Sequence, residues 1–467
     1  MAKIQAILTL VYIAKLGFDQ EKLEHKWPTP PEWPFKLRLN LRMAELFMHP
    51  EEAGFLVTSW ADVASLLRVV VKELEDDEAV STGNVSGKSE PWRRGYFQTL
   101  MGLGRAAENL EGWVRDTKQK ITRPAEYMVG PSNPRPKPIP PFVRSKKVPH
   151  EENCEPALPS PGVFYKRIMA TEGFTTRQKI DASLAYAAWL DYKGLTTEAD
   201  DVYEWTTDTA ATALAHPTNV VDVKTGIIKN HPKDVPTENM LRVSTARAAH
   251  DAQHGNISTA LSIFASVLKA RRSLSTLPPV VDTKKRKGKI NPLANLVEPF
   301  KVLIPTEYPP PPPSGNDPPS PYRSNGSVCE EAVLMTYIGE IIYASSSREE
   351  GLAWTRNAVD MAEEAFFSIE DEHDREKCSD CLKVGLSNWS TMLTQCILQA
   401  EEDEAAARQT VERAWFRFRY RGQVQAKEWE KSRWQAEKAA VEDREKALGF
   451  ALMAAPMVNA SERDSLI

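Results

Sequence analysis

Apolar residues recur every three to four positions over most of this chain, the spacing that lets one face of a helix be buried. Leu37–Phe47 (LRLNLRMAELF) and Ser59–Leu74 (SWADVASLLRVVVKEL) both carry it. Ser59 stands where an N-cap belongs, and Asp62 three residues on completes a capping-box-like pattern. Trp92–Lys118 reads as one long helix, with a core LMGLGRAAENL. Val424–Ala455 reads as another, charged, with Trp429 and Trp434 set among Lys and Glu. The pattern breaks where proline gathers, because proline lacks an amide N–H and keeps the preceding residue extended. Pro28, Pro30, Pro31 and Pro34 impose an extended path on residues 18–35, FDQEKLEHKWPTPPEWPF, and Trp27 and Trp33 are expected to pack on the first helices. Residues 75–90 are polar, acidic at their start, and expected to be flexible. Residues 130–162 form a proline-rich connection expected to be a surface excursion or a groove-crossing segment. Residues 216–237 form a second, polar insertion. The largest, 276–329, contains KKRKGK at 284–289 and PPPPP at 309–313.

Within the helical stretches one spacing repeats. In Ala187–Thr206, AAWLDYKGLTTEADDVYEWT, a small residue (Ala187) is followed seven later by a glycine (Gly194), five later by a second small residue (Ala199) and four later by an aromatic (Tyr203). This predicts two short antiparallel helices. Gly194 takes the positive φ that ends the first, Ala187 and Ala199 let the pair approach, and Tyr203 fills the gap behind them. Ala248, Gly255, Ala260 and Phe264 repeat the spacing. Gly339, Ser346, Gly351 and Thr355 repeat it with serine for the turn glycine and threonine for the aromatic, and Ala358 lies one turn further. Thr394, Glu401, Ala406 and Thr410 match poorly. The copies resemble tetratricopeptide repeats, helix–turn–helix units that work by stacking on their neighbours, here separated by long insertions rather than recurring at a fixed period.

The expected architecture is therefore all-α, an irregular helical-hairpin solenoid with proline-rich insertions. Its parts are a short apolar helix or anchor remnant at 1–17, the Pro/Trp collar at 18–35, N-terminal helical repeats at 36–129 and the connection at 130–162. Repeats follow at 163–275, then the basic and proline-rich insertion at 276–329, further repeats at 330–423, and a charged capping helix and tail at 424–467.

Composition narrows the partners. The 467 residues carry a net charge of −5, which argues against nucleic acid as the main partner. The 34 prolines are clustered, as linkers and insertions require. Five cysteines without paired spacing make no disulfide framework and suit a reducing compartment. No window reaches the ~18 consecutive apolar residues of a membrane span. The nearest, Ile4–Ala14 (IQAILTLVYIA), lies between Lys3 and Lys15 and is followed by no small-residue cleavage site. It reads as an amphipathic helix or as the remnant of an anchor.

Few stretches suggest chemistry. Gly83–Ser89 (GNVSGKS) nearly spells a phosphate-binding loop but has three residues between its glycines where four are needed, and an acidic segment where a strand should precede it. It is expected to be a flexible linker. His250 and His254 stand one helical turn apart, as in metalloprotease helices, with Asp251 in place of the usual glutamate and no obvious third ligand in sequence. They are expected to be structural or surface histidines, with a metal-dependent hydrolase as the competing reading. Cys378 and Cys381 form a CxxC outside any βαβ setting, with Cys329 and Cys396 remote in sequence. They are expected to be structural thiols, an oxidised pair being the alternative. Lys284–Lys289 reads as a solvated linker, a nuclear signal or an acidic-surface contact, and Pro309–Pro313 as a stiff polyproline spacer or a ligand for aromatic-lined domains. The sequons at Asn84, Asn256, Asn325, Asn388 and Asn459 are expected to be unused. Neither a nucleophile–base pair nor a dinucleotide fingerprint is present in the sequence, and no cofactor is expected.

The collar LEHKWPTPPEWPF, followed by irregular repeats, also resembles a group of fungal mitochondrial inner-membrane tetratricopeptide proteins. These are substrate adaptors for the intermembrane-space AAA protease. The resemblance covers most of the chain after residue 20. It implies a non-enzymatic adaptor that presents client polypeptides to that protease, with the repeats facing the intermembrane space and attachment through an N-terminal anchor that is incomplete here. Relatives of this kind sometimes carry the label of a major-facilitator maltose permease. A mean hydropathy of −0.43 and the lack of serial spans give transport no support. The alternative is a cytosolic or nuclear scaffold of the same fold. In either setting the first helix of each pair would present the binding residues, here Asp191, Lys193, Arg247, Asp251, Glu340 and Tyr343.

Overall fold

The computed structural model describes residues 15–50, 54, 57–141, 146–229, 234–273, 275–276, 308–316, 322–323, 325–369, 372–413 and 417–454. The described chain is mostly helical. It divides into two compact units, Met1–Ala213 with Asp282–Asp317, and Leu214–Val281 with Pro318–Ile467. The stretch Ile4–Ala14, the basic run 284–289 and Asn459 lie outside the described residues. Among the described residues no helix is long and apolar enough to cross a membrane.

In the first unit, helix α1 covers residues 15–26 and the collar follows it. Trp27 stacks on His49 at 5.5 Å, while Trp33 is buried edge-on against Trp92, further along the chain than the first helices, at 6.3 Å. The buried carboxylate of Glu24 fixes the collar's path. It accepts from the Thr29 amide at 2.9 Å and the Thr29 hydroxyl at 2.8 Å, and pairs with Arg38 and Arg42. Helix α2 (Phe35–Met48) packs on α3 (Trp60–Glu75), and α3 packs on α4 (Glu90–Asn109). Ser59 sits at the N-cap of α3, but its hydroxyl bonds the Asp62 carboxylate at 2.6 Å and not a backbone amide.

Two sequence expectations change here. Helix α4 ends at Asn109, and Trp113–Asp116 forms a strand, β1, not the end of a long helix. Gly112, at φ +75°, makes the break. Strand β1 pairs antiparallel with β2 (Ile121–Pro124) and β3 (Cys154–Pro156), in the order β2-β1-β3. The chain is therefore mostly but not wholly helical. The connection at 130–162 has most of its described residues exposed or half-buried, and it is held to the residues just before it. Asp116 accepts from the amides of Lys118, Gln119 and His150, and Asn133 Nδ2 donates to the carbonyls of Glu126 and Met128. Gly83–Ser89 is a built turn rather than a flexible linker. The Val85 amide donates to the Glu172 carbonyl, Val85 is fully buried, and Ser89 caps α4 through the Trp92 amide.

Helix α5 (Pro161–Ala170) follows the sheet and packs on both α4 and α6 (Thr176–Tyr192). Helix α6 opens on a complete capping box between Thr175 and Gln178. Its start lies beside that of α4, where Arg93 donates to the Gly173 carbonyl at 2.7 Å and Tyr96 stacks on Phe174 at 5.9 Å. Its end lies near that of α4, where Lys193 meets Glu111 at 2.8 Å. The two helices thus run parallel, and α7 (Thr196–Ala211) closes a hairpin with α6.

In the second unit, α8 (Glu238–Gln253) and α9 (Ile257–Arg272) form one hairpin, and α10 (Asn325–Ser345) and α11 (Arg348–Ser368) another. Buried Arg271 of α9 holds the first hairpin to α10, reaching Glu238 at 2.8 Å and also pairing with Glu330. Burial alone would lower its pKa, but Glu330 and Glu238 outweigh that and raise it. Phe264 stacks on Tyr337 across the same contact at 5.4 Å. Residues 372–413 form a single long helix, α12, so Thr394, Glu401, Ala406 and Thr410 lie on one helix and not on a hairpin. Helix α12 packs on α13 (Arg417–Ala454). Lys427 reaches Asp403, and Arg408 reaches Glu428, each at 2.9 Å. The charged C-terminal stretch is therefore half of a hairpin, with Trp434 buried and Trp429 exposed.

Candidate functional site

The repeat positions are where the hairpins touch. Ala187, Ala199, Ala248 and Ala260 have no exposed surface. Gly194 (φ +73°) and Gly255 (φ +84°) each follow a helix end in the left-handed region. In both, the glycine amide bonds a carbonyl three residues back, and the next amide bonds one five residues back. This double closure satisfies carbonyls that the helix end leaves open. Tyr203 is buried behind the alanine pair and donates to Asp191 Oδ2 at 3.2 Å; Phe264 is buried in the matching place. Burying such a ring stabilises by about 1.5–3 kcal/mol.

The third copy solves the contact differently. Ser346 does not take a positive φ, and the Ser346 and Ser347 amides both bond the Ile342 carbonyl. A Cβ on Gly339 would stand 2.7 Å from Thr355 Oγ1, and one on Gly351 would stand 2.5 Å from the Tyr343 amide nitrogen. Helices α10 and α11 approach backbone to backbone, and Ala358 is buried one turn on.

The proposed partner-binding residues separate into groups. Asp191 accepts from Tyr203, and Lys193, at the end of α6, pairs with Glu111. Arg247 donates to the Val223 carbonyl at 2.8 Å and to that of Lys224, so it supports the 216–237 insertion. Gly226, at φ +75°, packs against its side chain. Asp251 takes the Asn256 amide on its carbonyl at 2.8 Å, and Asn256 Nδ2 on its carboxylate at 3.2 Å. Glu340 and Tyr343 face α12 instead of open solvent. Asn388 donates to Glu340, and the Tyr343 hydroxyl donates to the Met392 carbonyl at 2.9 Å, with Cys396 Sγ 3.4 Å away. Burial raises the Glu340 carboxyl pKa, partly offset by Asn388, and burial likewise raises the Tyr343 phenol. The sequence spacing put these two residues on the first helix of a pair, but it gave no sign that α12 covers that face.

The histidine pair is real in space. The His250 and His254 ring centroids are 4.4 Å apart, His250 is buried, and His254 Nδ1 lies 2.9 Å from the His250 carbonyl oxygen.

The cysteines differ most from expectation. Cys378 forms a disulfide with Cys329, with 5.2 Å between their Cα atoms, so Cys378 is neither a thiol nor the partner of Cys381. The two stand 49 positions apart in sequence, and the packing of α10 against α12 brings them together. Cys381 remains a buried thiol, which burial pushes up to about 12. Cys329 and Cys381 both line a cavity of about 410 Å³ between α10 and α12, together with Glu330, Val333, Thr336, Tyr337, Lys377, Asp380 and Val384. Its size is that of a small-ligand pocket. The sequence signal was confined to the CxxC.

No protein-family model, curated protein or solved structure matches the chain.

Proposed function

We propose that the chain is a non-enzymatic adaptor of the tetratricopeptide type, which binds client polypeptides and presents them to a AAA protease at the mitochondrial inner membrane, on the intermembrane-space side. The observation that carries the reading is the shared construction of hairpins α6–α7 and α8–α9. Both pair two fully buried alanines, close on a left-handed glycine, and bury an aromatic ring in the same register. Helical hairpins built this way serve protein recognition, and the fold itself supplies no reacting group. The disulfide Cys329–Cys378 supports an oxidising compartment, because cytosolic thiols are kept reduced.

The test is affinity capture of the tagged protein expressed from its own genomic locus, with partners identified by mass spectrometry. Recovery of an inner-membrane AAA protease together with its clients supports the proposal. Recovery only of cytosolic or nuclear assemblies overturns the mitochondrial assignment and favours a scaffold of the same fold elsewhere.

The closeness of the His250 and His254 rings favours a second reading, a metal-dependent hydrolase. Stoichiometric zinc in the purified protein would support it, and metal-free protein with unchanged folding would remove it.

A further inference from the structure

Residues 308–316, YPPPPPSGN, lie in the first unit and are held at both ends. At one end the Arg94 guanidinium sits over the Tyr308 ring, 4.8 Å from its centroid. Arg94 is itself fixed by a two-point pair with Glu90, at 2.8 and 2.6 Å. Tyr308 is half-buried, and desolvation pushes its phenol up to about 12. At the other end Asn316 Nδ2 donates to Thr176 Oγ1 at 3.1 Å, and Gly315 is buried at φ +69°. The two anchors belong to the starts of α4 and α6, which lie side by side. Between them all five prolines, Pro309–Pro313, are exposed.

Each proline fixes its own φ near −65°, and each proline that follows another bars the helical region to the one before it. An unbroken run therefore prefers the polyproline II path without help from neighbours. Holding both ends removes much of the remaining freedom. A segment that served only to fill space would turn its rings into the unit; this one turns them out.

We propose that Pro309–Pro313 is a displayed polyproline ligand, presented on the first unit to a partner domain with an aromatic-lined groove. Aromatic grooves read such runs through the flat faces of successive proline rings, at low entropic cost because the ligand is preformed. Arg94 and Thr176 act as positioning residues that hold the run outward. The proposal rests on the adaptor reading only in taking the chain to assemble with other proteins.

The probe is an isolated EVH1-type domain, whose groove accepts proline-rich segments. Its binding is measured by titration against the full chain and against the free synthetic peptide YPPPPPSGN. The full chain is expected to bind about three- to tenfold more tightly than the peptide, through preorganisation. Replacing Pro310, Pro311 and Pro312 together by alanine should abolish binding, at solvent-exposed positions where folding is not at stake. Arg94→Gln should bring affinity down to that of the free peptide, and Thr176→Val is the second such variant should Arg94→Gln misfold. Binding by the peptide but not the chain overturns the proposal, since the run would then be masked. Binding by neither overturns it as well, as does binding that survives the triple alanine change. Capture of the AAA protease is unaffected by any of these outcomes, so the two proposals fail separately.

Discussion

Cys378 is disulfide-bonded to Cys329, which joins the start of α12 to α10. Around this bond Phe366 and Ile369 of the α11 end form a small apolar cluster. A link closing about fifty residues restricts the unfolded chain strongly, and its loss costs about 2–4 kcal/mol. The double variant Cys329→Ser/Cys378→Ser is therefore expected to unfold at clearly lower denaturant than the wild type, and added reductant should shift the wild type the same way. Peptide mapping without reduction should recover the two cysteines linked. A wild-type midpoint that ignores reductant would contradict the bond.

The remaining thiol of the CxxC should behave in the opposite way. Burial pushes Cys381 up to about 12, against about 8.5 for a free thiol. Ionisation is thus easier in the unfolded chain than in the folded one. The neutral thiol costs nothing below the unfolded value, and stability falls as pH climbs from there toward 12. Cys381→Ala should flatten this alkaline slope. In the native protein at pH 8, iodoacetamide should label Cys381 far more slowly than in denaturant. Equal labelling rates in the two states would show that the thiol is not shielded.

How much of this could be read from sequence depended on distance along the chain. The 7-5-4 spacing is a local signal, and Ala187, Gly194, Ala199 and Tyr203, with Ala248, Gly255, Ala260 and Phe264, occupy the contacts that it assigned. Trp27 beside the end of α2 followed from the same kind of reasoning. What failed was long-range. Nothing near Cys378 in sequence points to Cys329, and nothing near Glu340 shows that Asn388 will meet it. The strand Trp113–Asp116 was hidden because Trp113 and Val114 extend an apolar helical period, and its pairing partner β3 lies within the proline-rich connection.

Two kinds of glycine make a discriminating pair. Gly194 and Gly255 have open space where a Cβ would go, but their φ values are +73° and +84°. Alanine there should cost about 1 kcal/mol each, from backbone strain alone. Gly351 lies in a helix without a positive φ, yet a Cβ would press on the Tyr343 backbone at 2.5 Å. Gly351→Ala must push α10 and α11 apart and should cost about 1–3 kcal/mol, with a lower melting temperature for the second unit. Ser346→Gly should bring no gain, because that turn does not use the left-handed region. Thermal melts of the four variants give the order directly, and a stabilised Ser346→Gly would refute the account of the third turn.

Asp116 gives the β2-β1-β3 sheet its acid sensitivity. Its carboxylate takes the Gln119 amide at 2.8 Å, the His150 amide at 3.0 Å and the Lys118 amide at 3.0 Å, joining β1 to His150 within the proline-rich connection. These bonds, that from Gln119 foremost and then that from His150, hold the carboxyl below its usual range. For a depressed carboxyl the contribution to stability is complete above the unfolded pKa, near 3.8, and is lost as pH falls through the lower folded value. The sheet should therefore hold at pH 5 and loosen below about pH 4. Asp116→Asn offers an amide group where at least one of the three donors now finds an oxygen, so it should loosen the sheet already at neutral pH. Hydrogen exchange at the Gln119 and His150 amides reads this out. Faster exchange at those two sites, with α4 unchanged, is the expected result for Asp116→Asn at pH 7, and unchanged protection would show that the turn does not depend on the carboxylate.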